Sequence, residues 1–62
     1  MLEYVKTILK KVSFDLVLFE KELLKAIEVL VVNEIKVLKR WCYRSFGKSY
    51  KPILDRCFVI AT

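Results

Sequence analysis

Histidine is absent from this 62-residue sequence, and glycine and proline occur once each. Histidine is the commonest metal-binding side chain and a frequent general acid or base. The chain also lacks a glycine-rich phosphate loop and a serine in a nucleophile elbow. Its two cysteines, Cys42 and Cys57, cannot complete a four-ligand zinc site within one chain. We therefore expect no enzymatic activity, no metal or cofactor, and no small-molecule substrate.

The two cysteines allow one disulfide at most. A cytosolic location would keep both thiols reduced, and free cysteine is among the most buried residue types. We expect Cys42 and Cys57 to be buried and inert, with a single disulfide as the alternative.

Long hydrophobic runs are scarce as well. The uncharged apolar runs at residues 16–19 and 29–32 contain four residues each, whereas a membrane-spanning helix needs about 20. Near the N-terminus, Glu3, Lys6 and Lys10 interrupt what could otherwise be a signal-peptide core. These features predict a cytoplasmic protein without a membrane span.

Apolar residues recur at helical spacing along the whole chain. They predict a first helix over about residues 2–12 and a second over about 16–30, with Asp15 as the N-cap of the second. We expect one all-α domain over residues 1–62, a small bundle of three to four short helices. Apolar residues make up 56% of the chain, which is more than so small a domain can bury, so some should contact a partner.

The second half of the chain predicts two more helices. Asn33 is the expected N-cap of the third helix, which should end near residue 46. Gly47 then stands where a left-handed residue often follows a helix. A fourth helix should span about residues 52–60, because Pro52 is tolerated in a first helical turn.

Positive charge is confined to the second half of the chain. Residues 1–31 carry five cations and five anions, whereas residues 32–62 carry seven cations and two anions. Cations interleaved with aromatic residues suit a phosphate backbone, because the cations release counterions and an exposed ring can stack on a base. The predicted nucleic-acid-binding residues are Lys36, Lys39, Arg40, Tyr43, Arg44, Lys48 and Lys51.

Other interpretations of these surfaces stay open. The face of the third helix that carries the cations could be an ordinary solvated surface, or it could lie on anionic lipid. Leu18 and Val29 fall on the charged side of the second helix, as scattered surface residues or as the centre of a contact with another chain. Trp41 either covers the edge of the core or anchors a protein contact.

Several short blocks carry a resemblance to known proteins. They are residues 13–15 (SFD), 19–23 (FEKEL) and 41–43 (WCY), followed by Phe46 and Gly47. The chain resembles, over most of its length, short uncharacterised helical proteins of Bacteroidota-type bacteria, and this resemblance implies association with the ribosome.

Together these features predict a small basic accessory protein that binds structured RNA, with ribosomal RNA and neighbouring proteins as its partners. The alternative is a homo-oligomeric or adaptor module that binds protein and no nucleic acid.

Overall fold

The computed structural model describes residues 1–61, with side chains through Val59. It contains three helices: α1 (Leu2–Lys11), α2 (Leu16–Val29) and α3 (Val32–Ala61). No strand occurs among these residues, so the prediction of a small all-α bundle is confirmed. No helix in the described part of the chain is both long and apolar enough to span a membrane.

Asp15 is the N-cap of helix α2, as the sequence predicts. The Asp15 carboxylate accepts hydrogen bonds from the backbone amides of Val17 at 3.0 Å and Leu18 at 3.2 Å. The first amides of a helix have no partner within the helix, so this carboxylate satisfies two groups that would otherwise need water.

Helix α3 begins differently from the prediction. Its first helical residue is Val32, so Asn33 lies inside the first turn and is not the N-cap. The Glu34 carboxylate instead accepts a hydrogen bond from the Val31 amide at 3.4 Å, and the Val31 carbonyl accepts one from the Ile35 amide at 2.9 Å. Glu34 thus makes the capping-box hydrogen bond in which a side chain of the first turn accepts from the backbone amide of the N-cap residue. Because its amide has this partner, the apolar residue Val31 is tolerated as the N-cap of α3.

Gly47 does not end the third helix, and that prediction was wrong. Gly47 has no positive φ and lies within α3. The non-helical residue is Tyr50, with φ −116° and ψ 16°. Pro52 explains this position, because a proline inside a helix lacks an amide donor and clashes with the carbonyl four residues earlier.

The kink at Tyr50 divides α3 into two arms, residues 32–49 and 51–61. A straight helix of 30 residues would be about 45 Å long, yet the longest dimension of the fold is 26 Å. The ring of Tyr43 lies 6.3 Å from that of Phe58, so the second arm bends back towards the first. The predicted third and fourth helices are therefore these two arms of α3.

The core lies between all three helices. Phe19 of α2 is fully buried and contacts the rings of Phe46 at 5.0 Å and Tyr50 at 4.9 Å. The hydroxyl of Tyr50 donates a hydrogen bond to the Ser13 carbonyl, which attaches the kink to the α1–α2 turn. The buried residues are Val5, Leu9, Phe19, Leu23, Ala26, Leu30, Leu38, Cys42, Leu54, Cys57 and Phe58.

Both cysteines belong to this core. Cys42 and Cys57 are 0% exposed and carry free thiols, which confirms the expectation that they are buried. Burial in apolar surroundings, followed by the nearby Cys57, raises the pKa of the Cys42 thiol to about 12. Burial also raises the pKa of the Cys57 thiol. Thiolates, the reactive form of cysteine, are therefore strongly disfavoured at neutral pH.

Candidate nucleic-acid interface

Four cations form a row along the first arm of α3. Lys36, Arg40, Arg44 and Lys48 follow one another at intervals of four residues, and all are exposed. Each interval corresponds to a rise of about 6 Å along the helix. Residues at this spacing form one of the ridges on a helix surface. We call these four residues the basic row.

The basic row has no partner of opposite charge within the described part of the chain. The ion pairs there join Lys6 to Glu3, Lys25 to Glu22, Lys51 to Asp55 and Arg56 to Glu20. The positive charge of the row is therefore available to a ligand outside the chain.

Such a row opposes helix formation slightly. Like charges four residues apart destabilise a helix by about 0.2–0.5 kcal/mol per pair, and the row contains three consecutive pairs of this kind. The exposed face of α2 shows the opposite arrangement, because Lys21, Glu22, Lys25 and Glu28 mix the two signs. A helix face that only had to remain in contact with water could mix positive and negative charges and so avoid this loss of helix stability.

Two other predicted residues already have partners inside the protein. The Lys51 ammonium lies 3.1 Å from Oδ2 of Asp55. The Tyr43 hydroxyl donates a hydrogen bond to Oδ1 of the same carboxylate. The Tyr43 ring is half-buried, so only part of it can reach a base. Lys39 is exposed and lies near enough to Asp55 to favour its ionised form.

The Tyr43–Asp55 hydrogen bond changes the acidity of both groups. It is the largest of the effects that raise the pKa of the Tyr43 phenol to about 12, followed by partial burial and the Asp55 charge. The same hydrogen bond, followed by the one from Lys51, lowers the pKa of Asp55. Asp55 is therefore ionised at neutral pH, and it offsets part of the positive charge around Lys39 and Lys51.

A groove of about 860 Å³ lies beside the kink. It brings together four of the seven predicted residues, whereas Lys36, Lys39 and Arg40 lie three to seven residues before Tyr43, the first residue of α3 that lines it. The lining residues are Ser13, Tyr43, Arg44, Ser45, Phe46, Gly47, Lys48, Ser49, Tyr50 and Lys51.

Two residues of this groove were missed at the level of the sequence. Ser45 and Ser49 are exposed, lie four residues apart, and follow Arg44 and Lys48 directly. Serine hydroxyls are common phosphate contacts in nucleic-acid complexes. The feature of the sequence that could have identified these two serines is that each directly follows a cation.

The three predicted protein-contact residues differ in exposure. Leu18 is 38% exposed and Val29 is 62% exposed. Trp41 is half-buried, with its ring 5.4 Å from that of Phe46. The ammonium groups of Lys6 and Lys10 lie 5.6 and 6.0 Å from the centre of the Trp41 ring. Trp41 therefore covers the edge of the core and holds α1 through cation–π contacts.

No protein-family model, curated protein or solved structure matches this chain. The resemblance to small bacterial proteins stays a prediction. Function is therefore inferred from the basic row and the groove alone.

Proposed function

We propose that the protein is a small accessory protein that binds structured RNA through the basic row and the groove beside the kink. The observation that carries this proposal is the row of exposed cations that have no ion-pair partner among the described residues. Ribosomal RNA is the favoured target, because a cytoplasmic domain of this charge encounters it as an abundant structured polyanion.

The expected mode of binding is contact with the phosphate backbone. Arg40 and Arg44 present planar guanidinium groups that can bind phosphate oxygens in a bidentate manner. Lys36 and Lys48 extend the contact at both ends of the row. Ser45 and Ser49 can donate hydrogen bonds at the groove. None of these groups reads a base, so shape and charge dominate over sequence in this mode.

The decisive experiment is the salt dependence of binding to a labelled RNA hairpin, measured by fluorescence anisotropy. Each neutralised phosphate contributes a slope of about −0.7 to −0.9 in log K against log salt. Four phosphates predict a total slope of roughly −3 to −4. The double variant Arg40→Gln and Arg44→Gln should reduce this slope by about one to two units, while the helix persists because glutamine is a comparable helix former.

A matched control removes two charges elsewhere. Lys11 and Lys21 are exposed and lie on α1 and α2, so Lys11→Gln with Lys21→Gln gives the same net charge as the test variant. Its slope should stay near that of the parent protein. Equal losses in both variants, or binding weaker than roughly 10⁻⁴ M at physiological salt, would show that the basic row is not an RNA site.

Association with the ribosome requires a separate measurement. The protein should sediment with purified ribosomes at low salt and leave them at high salt, and the Arg40 and Arg44 double variant should sediment less. If the hairpin binds normally but ribosomes do not, RNA binding stands and the ribosomal target is wrong.

A further inference from the structure

A second exposed surface lies on α2. Leu18, Glu22, Lys25 and Val29 occupy one stripe of this helix, within about 60° of one another at 3.6 residues per turn. Leu18 and Val29 are partly to largely exposed, and Glu22 pairs with Lys25 only at 3.5 Å within the same helix. We call these four residues the α2 stripe.

The spacing of the residues in the α2 stripe is the same whether the helix is followed from its N-terminus or from its C-terminus. Leu18 lies four residues before Glu22, and Val29 lies four residues after Lys25. Two antiparallel copies related by a two-fold axis between Glu22 and Lys25 would therefore match at every position. Leu18 would face Val29 of the second copy, and Glu22 would face Lys25 of the second copy. Such self-complementarity is what a two-fold interface requires.

A groove beside the stripe offers room for an apolar side chain. It has a volume of about 170 Å³ and lies between α1 and α2. A cavity of about 150 Å³ is large enough to hold benzene, so this groove can accept a leucine side chain. Its lining residues are Met1, Tyr4, Val5, Ile8, Leu9, Glu22, Lys25, Ala26 and Val29.

We propose that the protein forms an antiparallel two-fold dimer through the α2 stripe, with a second copy of the same chain as the partner. Leu18 of each copy enters the apolar groove of the other at its Val29 end. Two ion pairs between Glu22 and Lys25 of opposite copies fix the register. The basic row lies on α3 and is not part of this interface, so dimerisation and RNA binding can be tested independently.

The test is a charge exchange followed by sedimentation velocity at about 1–300 μM protein, a range that detects micromolar dissociation constants. The wild-type protein should be dimeric in this range. Glu22→Lys places two lysines at the centre of each stripe, and Lys25→Glu places two glutamates there. Each variant alone should raise the dimer dissociation constant at least about tenfold through like-charge repulsion.

Mixing the two variants provides the decisive comparison. A mixed dimer would set two lysines against two glutamates, so an equimolar mixture should regain dimers although neither variant dimerises alone. This recovery also shows that both variants are folded. Glu28→Lys, an exposed change outside the stripe, should dimerise like the wild-type protein.

Three results would overturn the proposal. The first is a wild-type protein that stays monomeric up to the highest concentration. The second is a dimer that neither single variant weakens. The third is a mixture of the two variants that remains monomeric.

Discussion

The hydroxyl of Tyr43 donates a hydrogen bond to the carboxylate of Asp55, across the bend in α3. Lys51 binds the other oxygen of that carboxylate at 3.1 Å. The first contact connects the two arms of α3 and the second lies within the second arm, and both lie beside the groove of the proposed RNA site. The shape of the groove therefore depends on a hydrogen bond between residues that are twelve positions apart in the sequence.

Replacing Tyr43 by phenylalanine should lower the melting temperature, because Asp55 loses a hydrogen-bond donor. The pKa of Tyr43 rises from 10.0 to about 12 in the folded protein. The stabilisation is therefore complete from neutral pH up to pH 10 and is lost as the pH rises through about 12. Thermal melting followed by circular dichroism should show a difference between parent and variant at neutral pH that shrinks over this alkaline range.

Tyr4 offers a control for that substitution, because its ring is 66% exposed. Tyr4→Phe should melt like the parent. A melting temperature equal to the parent's at neutral pH would mean that the Tyr43–Asp55 bond contributes nothing to stability.

The native thiols should react slowly with a thiol reagent. At pH 8, a thiol with a pKa of about 12 is ionised roughly a thousand times less than one at the ordinary value of 9.0. Burial of Cys42 adds a further obstacle to the reagent. Labelling of Cys42 at pH 8 should therefore take roughly a thousand times longer in buffer than in denaturant, and labelling of Cys57 should also be slower in buffer. Rapid labelling of both cysteines in the native protein would contradict the buried positions.

Gly47→Ala should stabilise the protein by about 0.5–1 kcal/mol, because glycine inside a helix loses more backbone freedom on folding than alanine. Gly47 has no positive φ, and an added Cβ would meet no atom of the described residues within 4 Å. Urea denaturation gives the free energy of unfolding directly. A destabilised variant would show that α3 is not helical at this position in solution.

The two predicted N-caps should respond differently to alanine. Asp15→Ala should lower the free energy of unfolding by about 1 kcal/mol, because two amides lose their acceptor. Asn33→Ala should cost less than about 0.3 kcal/mol or be slightly stabilising, since Asn33 lies within a helical turn and alanine is the better helix former. Both values come from urea denaturation. A larger loss for Asn33 than for Asp15 would reverse the assignment of the caps.

Sequence patterns predicted those features that depend on near neighbours. The helical spacing of apolar residues, the cap at Asp15 and the burial of both cysteines are confirmed by the structure. Gly47 and Asn33 were misassigned because each has the local preference of a helix end, whereas Pro52 and Glu34 determine the kink and the N-terminus of α3. Local propensity is a weak guide where another contact competes with it.

The candidate site likewise contains features that the sequence predicts and features that depend on distant contacts. The spacing of the basic row is visible in the sequence, because it lies on one helix. Whether Tyr43 and Lys51 are free to contact a ligand depends on Asp55, because both bind its carboxylate. Asp55 reaches Tyr43 only because the second arm bends back at Tyr50. A helical wheel of the first arm contains no information about that bend.

The contact between Glu20 and Arg56 joins α2 to α3 through two hydrogen bonds of 3.0 Å. The other ion pairs described above each lie within one helix, and every buried side chain among the described residues is apolar or a thiol. At about 1 M salt, charges interact over only about 3 Å, yet burial of apolar surface does not weaken. The domain should therefore stay folded at a salt concentration that dissociates it from a polyanion. The same molecules should bind the polyanion again once the salt is diluted.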